Sequence, residues 1–101
     1  MNIFDLTQLP KDEELTDILI KNDNVRIERI VSAGQTSDWY DQEESELVVL
    51  LQGDAVIEYE NGETVEMHKG DTLLIDPHKR HRVSYTSTDP PCIWLCVFYS
   101  L

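Results

Sequence analysis

Glu46-Leu47-Val48-Val49-Leu50-Leu51-Gln52-Gly53-Asp54-Ala55-Val56-Ile57-Glu58-Tyr59-Glu60-Asn61-Gly62-Glu63-Thr64-Val65-Glu66-Met67 is the stretch that decides the fold. Residues 46–52 are apolar and partly β-branched, and Gly53-Asp54 stops them after a length that suits a strand better than a helix. Residues 55–59 resume the pattern, Asn61-Gly62 is a strong signal for a two-residue hairpin, and residues 63–67 return. Side chains alternate along a strand, so Glu46, Val48 and Leu50 share one face while Leu47, Val49 and Leu51 share the other. A carboxylate at the head of an apolar row is costly to bury alone. Glu46 therefore needs a cation, a metal or a proton beside it.

The same texture continues on both sides. Residues 25–32 form a strand ending at Ala33-Gly34, Lys69-Gly70-Asp71 closes the hairpin, and further strands follow at 72–75, 81–86 and 93–99. Asp89-Pro90-Pro91 separates the last two. Turn signals every 8–12 residues or so are the spacing of a sandwich or barrel, not of βαβ units. Closure removes the exposed edges that so many short strands would otherwise leave. The interior of such a barrel holds side chains or one small ligand. His81 heads a row shared with Val83 and Tyr85, so a second titratable group leads a mostly apolar face. Two such strands predict a polar mouth above an apolar interior, the usual construction of a ligand pocket.

Residues 10–22 read differently. Leu15, Ile18 and Leu19 fall at helical spacing, Lys11-Asp12-Glu13-Glu14 loads the first turn with negative charge, and Lys21 lies near the end. A short amphipathic helix is expected there as a lid or edge cover. The expected organisation is an N-terminal segment over 1–24 and a barrel over 25–101.

Composition narrows the function. With 41% hydrophobic and 28% charged residues, the chain has ordinary globular character rather than that of a disordered one. No apolar run approaches the roughly 20 residues needed to span a bilayer, and Met1-Asn2-Ile3-Phe4-Asp5 lacks the basic start of a leader. A cytoplasmic protein that does not work at a membrane is expected. Twenty acidic against eight basic residues give a formal charge of −12, which disfavours nucleic acid as a partner. His78-Lys79-Arg80-His81-Arg82 is the local exception, either a patch for an anionic small molecule or a solvated loop balancing nearby carboxylates. Cys92 and Cys96 lie on one strand face about 13 Å apart. A disulfide needs Cα atoms within about 7 Å, so both are expected as buried free thiols. No phosphate-binding Gly-rich loop and no Ser-centred nucleophile elbow is present.

Two further spacings carry a resemblance. Gly34 stands five residues before Tyr40-Asp41-Gln42, and Glu46 follows, with six residues between it and Gly53. Gly70-Asp71-Thr72-Leu73-Leu74-Ile75 then leads through Asp76-Pro77-His78-Lys79-Arg80 to His81. Over residues 25–99 the chain resembles a small single-domain cupin, whose two motifs flank a hairpin in this way. The resemblance implies an all-β fold, the double-stranded β-barrel or jelly roll. It also implies a divalent metal or small-molecule ligand in the barrel and pairing as a homodimer. The departures are specific. The family's His-x-His pair falls on Tyr40 and Gln42, Pro77 comes one residue late, and His78 stands where the turn glycine belongs.

A metal set of Gln42, Glu46 and His81 is what remains, with Tyr40 or His78 as a fourth ligand. An amide oxygen and a phenolate are poorer ligands than the imidazoles they replace. A ligand-binding set of Trp39, Tyr40, His78, Arg80 and Tyr85 surrounds it, with Arg82 nearby and Trp39 serving as stacking wall or core cover. Two functional readings follow: a metal-dependent cupin, or a metal-free binding or sensing module. Whether the protein is an enzyme is left open by these residues. The rows Leu47/Val49/Leu51 and Trp94/Phe98 would form a subunit interface if they faced outward.

Overall fold

The computed structural model describes residues 1–100, and among them there are eight strands and no helix. The strands are β1 (Leu15–Lys21), β2 (Val25–Ser32), β3 (Ser45–Gln52), β4 (Ala55–Tyr59), β5 (Thr64–Met67), β6 (Thr72–Ile75), β7 (His81–Thr86) and β8 (Cys92–Tyr99). One sheet has the order β1-β2-β8-β3-β6 and the other β5-β4-β7. All pairings between these strands are antiparallel. Both sheets supply the core, with Val48, Leu50, Trp94 and Ile75 from the first meeting Ile57, Tyr59 and Met67 from the second. Burying side chains of this size stabilises by about 1.5–3 kcal/mol each.

The expected N-terminal helix is a strand. β1 forms a hairpin with β2, pairing Thr16 with Ile30 and Lys21 with Arg26. Thr16, Ile18 and Ile20 stand at every second position, and β-branched residues so spaced favour a pleated surface over a helix, with a register shift at Leu19 between the last two. The turn is built by Asn22, whose Oδ1 accepts the N–H groups of Asn24 and Val25, each at 2.9 Å. Arg29 of β2 holds the pair together, donating to Asp17 at 2.7 and 3.1 Å and to the carbonyl of Asp5 at 2.7 Å. Without β1 the edge of β2 would be bare, so the cover expected of a helix is supplied by a strand.

Asn61-Gly62 turns the chain, but in a longer loop than expected. Tyr59 N–H reaches Glu63 O at 2.8 Å and Gly62 N–H reaches Tyr59 O at 3.0 Å, leaving three residues in the connection. Gly62 has φ of 91° while Asn61 does not enter the positive region. A two-residue type I′ turn needs positive φ at both, so the three-residue form with one left-handed glycine is adopted instead.

Glu46, Val48 and Leu50 point inward and Leu47, Val49 and Leu51 are only half-buried, as alternation requires. Trp94, Phe98, Cys92 and Cys96 all lie in the interior, so the Trp94/Phe98 row is barrel packing and not an outward interface. Both cysteines are free. The indole N–H of Trp94 donates to Ser32 Oγ at 2.9 Å, which satisfies both buried polar groups.

Candidate functional site

Register places the site. β8 lies between β2 and β3, so Arg26, Phe98 and Glu46 form one row across three strands. Glu28, Cys96 and Val48 form the next, followed by Ile30, Trp94 and Leu50. The opposite sheet contributes Ile57, paired with Val83, and Tyr59, paired with His81. Residues 35–42 run beside β7, where Tyr40 and His81 exchange backbone hydrogen bonds of 2.7 and 3.1 Å. Between the walls is a cavity of about 350 Å³, lined by Glu46, Gln42, His81, Tyr40 and apolar side chains including Ile57 and Trp94.

Its polar centre is the pair Glu46 and His81. Their side chains are only 9% and 4% exposed, and His81 Nε2 lies 3.8 Å from Glu46 Oε1. His81 Nδ1 is 2.8 Å from the carbonyl of Lys79, which can only accept, so Nδ1 carries the proton. In the neutral ring Nε2 then presents a lone pair, and two acceptors face the cavity side by side. Gln42 Nε2 donates to Glu46 Oε1 at 3.2 Å. Burial pushes the Glu46 carboxyl above its ordinary range, against the opposing pull of Gln42, His81 and Cys96. The Cys96 thiol is in turn driven up by burial and by Glu46.

The mouth is acidic. Glu14, Glu28 and Glu44 line it beside a single guanidinium, that of Arg26. Arg26 is held by two of these carboxylates, with Nε on Glu28 and Nη1 on Glu44, both at 2.9 Å, and its guanidinium carbon 4.2 Å from the centre of the Phe98 ring. Burial, and then the charge of Glu28, raises the Glu14 carboxyl.

Glu46, Gln42, His81 and Tyr40 are therefore brought together as the sequence suggested. The remaining sequence-predicted residues lie outside the cavity. Trp39 stacks under Arg82 and Arg80, whose guanidinium carbons sit 5.0 and 5.7 Å from its ring centre, which makes it surface cover for the basic run. Arg82 also pairs with Glu58 at 2.7 Å. Tyr85 is turned out by a bulge: Val56 pairs with Tyr85 but Ile57 with Val83, so the extra residue Ser84 breaks the alternation after His81 and Val83. It is 51% exposed. His78 faces solvent, with its Nδ1 2.7 Å from Asp41.

His78 also has φ of 60°, at the position where the family turn carries glycine. A side chain there costs about 1–2 kcal/mol, and an exposed ion pair returns at most about 1. His78→Gly is expected to leave stability unchanged or raise it by up to about 1 kcal/mol. Urea denaturation checks this, and a clear loss would show that the Asp41 contact outweighs the backbone strain.

Arg26, Glu28, Glu14, Glu44 and Cys96 escaped the sequence reading. The signal for two of them, Arg26 and Glu28, was their alternation with Ile30, readable only once β2 is known to lie beside β8.

The donor set is tested against a metal by its chemistry. Among the described residues no three His, Cys, Asp or Glu side chains are grouped to hold one. Gln42 turns its NH₂ toward Glu46, because an amide oxygen there would oppose the carboxylate, so its carbonyl is not a third ligand. One imidazole and one carboxylate fall short of a three-ligand centre, and the residues present do not fit a resident metal.

The fold and the motif spacing define a class. A model of the cupin domain matches residues 28–98, and the chain belongs to the cupin family. It is similar to the crystal structure of a protein from Ralstonia eutropha provisionally named a mannose-6-phosphate isomerase. That match has 34% identity, covers 100% of this chain and 97% of the other, and has a TM-score of 0.92. A cupin superfamily protein from Desulfitobacterium hafniense matches at 20% identity over 91% of this chain and 82% of its own, with a TM-score of 0.79. The DMSP lyase DddQ from Ruegeria pomeroyi matches at 16% identity over 86% and 47%, with a TM-score of 0.75, a likeness of fold alone. No curated protein matches the chain. No helix is long and apolar enough to cross a membrane among the described residues.

Proposed function

We propose that the protein is a small-molecule-binding cupin whose cavity takes a compact, mostly apolar ligand without a resident metal. One hydrogen-bond-donating group of that ligand is fixed between Glu46 and His81. The observation that carries this reading is the buried pair itself, two acceptors side by side at the polar end of an apolar cavity. Such a pair is incomplete until a donor arrives. A carboxyl raised by burial beside an imidazole is also the arrangement here best equipped to move a proton, should the ligand be turned over.

A phosphorylated sugar, as named for the Ralstonia protein, is not carried over. Its phosphate would bring a charge near −2 into a cavity whose one guanidinium is already held by two carboxylates. The protein is further proposed to act as a cytoplasmic homodimer on a small molecule, not on nucleic acid. Support for the pairing comes from Ile18, Leu19 and Ile20, apolar side chains left exposed on the edge strand β1.

A second reading keeps the metal, because His81 is oriented as metal-bound histidines are, with its far nitrogen tied to a backbone carbonyl. In that reading Glu46 and His81 are the strong ligands and Gln42, Tyr40 or His78 must supply the rest. Elemental analysis of protein purified without chelators separates the two. The expected result is far less than one metal per chain, with no rise in melting midpoint on adding divalent cations. A stoichiometric metal that disappears in His81→Ala would overturn the metal-free reading.

A further inference from the structure

The cavity that the proposed function assigns to a small ligand also has a charge and a hydrogen-bond geometry, and these specify the ligand's polar group. Four carboxylates line it, Glu14, Glu28, Glu44 and Glu46, against the one guanidinium of Arg26. Arg26 is a weak anchor for an incoming anion, because Glu28 and Glu44 offset its charge by holding two of its three nitrogens at 2.9 Å, with Phe98 under its face. The overall charge of −12 has the same sign, so the potential at the mouth attracts cations from a distance as well.

The inner end is the more specific feature. The His81 side chain is 4% exposed and its Nε2 has no hydrogen-bond partner, with Glu46 Oε1 3.8 Å away. A nitrogen about 2.8 Å from both atoms would see them at an angle of about 85° across that 3.8 Å gap. An ammonium group can direct two N–H bonds into such an angle. A hydroxyl has one hydrogen and leaves one acceptor unmet, while a carboxylate or phosphate has none and meets only like charge. Arg26 shows the same recognition in miniature, a cation seated at this mouth between carboxylates and an aromatic ring.

We infer that the cavity selects a primary ammonium compound with an apolar body, the ammonium bridging His81 Nε2 and Glu46 Oε1 and the body lying against Ile57, Val83 and Trp94. This rests on the reading of the cavity as a ligand site, and the test separates the two. Three probes of one shape are titrated calorimetrically into the full chain: 2-phenylethylamine, 2-phenylethanol and phenylacetate. The amine is expected to bind at least tenfold tighter than the alcohol, and phenylacetate not measurably. Glu46→Gln should bring the amine down to the level of the alcohol. Glu14→Gln, at the mouth, should weaken the amine a few-fold and leave the alcohol unaffected, and salt should weaken the amine alone. Alcohol binding as tightly as amine, or phenylacetate or mannose 6-phosphate binding best, overturns the ammonium inference while leaving the cavity a ligand site. Binding by none of the probes, with amide NMR signals of the cavity residues unmoved at millimolar concentrations, overturns both.

Discussion

Gly53→Val is expected to lower stability by about 3 kcal/mol or more, which for a domain of this size moves the melting midpoint down by over 10 °C or so. Gly53 has φ of 92°, in the left-handed region that costs a side chain about 1–2 kcal/mol before any contact is counted. Contacts then add to the strain. A Cβ there would meet Cys92 Sγ at 2.8 Å, Cys92 Cα at 2.9 Å and Ser87 Oγ at 2.9 Å. None of these atoms is free to yield. Ser87 Oγ accepts the Asp54 N–H at 3.0 Å and donates to Pro90 O at 2.7 Å, while Cys92 Sγ donates to Asp54 O at 3.2 Å. Gly62 is the internal control, with φ of 91° and nothing within 4 Å of its added Cβ. Gly62→Val should lose only the backbone part. Urea denaturation of both variants measures the difference, and equal losses would show that the packing around Gly53 gives way.

That glycine was legible in the sequence as the end of the first motif, and so was most of the barrel. Alternation along residues 46–52 fixed which side chains enter the core, because one slip in a strand exchanges the two faces. Residues 10–22 misled because Leu15, Ile18 and Leu19 fit a helical stripe while Thr16, Ile18 and Ile20 fit a strand equally well. Short segments are decided by their neighbours, and here the neighbour was the open edge of β2 with Arg29 reaching for Asp17. The hairpin at Asn61-Gly62 was found but not its length, since a single left-handed glycine serves the three-residue loop as well as the shorter one.

The site was legible where motif spacing spoke and hidden where only register could. Glu46, His81, Gln42 and Tyr40 were read from their distances to Gly34, Gly53 and Gly70. Tyr85 was misplaced because nothing in His81-Arg82-Val83-Ser84-Tyr85 announces the bulge at Ser84. The basic run was left open between an anion patch and a solvated loop, because charge in sequence says nothing about direction. Arg80 and Arg82 lie over Trp39, and the opposite charge, from residues as distant as Glu14 and Glu44, collects at the mouth.

That concentration of carboxylates leads to the second large effect, which runs in the opposite direction. Glu46→Gln is expected to stabilise the protein at neutral pH by about 1–2 kcal/mol, corresponding to relief of a carboxyl raised by burial. The raised group binds its proton more tightly in the folded chain than in the unfolded one, where its ordinary value is 4.5. Its contribution is therefore fully present below pH 4.5 or so and is lost as pH rises through the folded value. The gain of the variant over the parent should be near zero at pH 4 and greatest at pH 8. The groups packed around the carboxyl, Gln42, His81, Cys96 and Glu28, are all retained. The exchange keeps the nearest contact as well, because a glutamine oxygen in the place of Oε1 still accepts from Gln42 Nε2. Urea curves at the two pH values decide it, and a variant no more stable than the parent at pH 8 would sink the expectation. Where a neutral amide of the same shape is the more stable side chain, a carboxylate is not there for the sake of the fold, so the strain held at Glu46 argues that the charge serves a ligand.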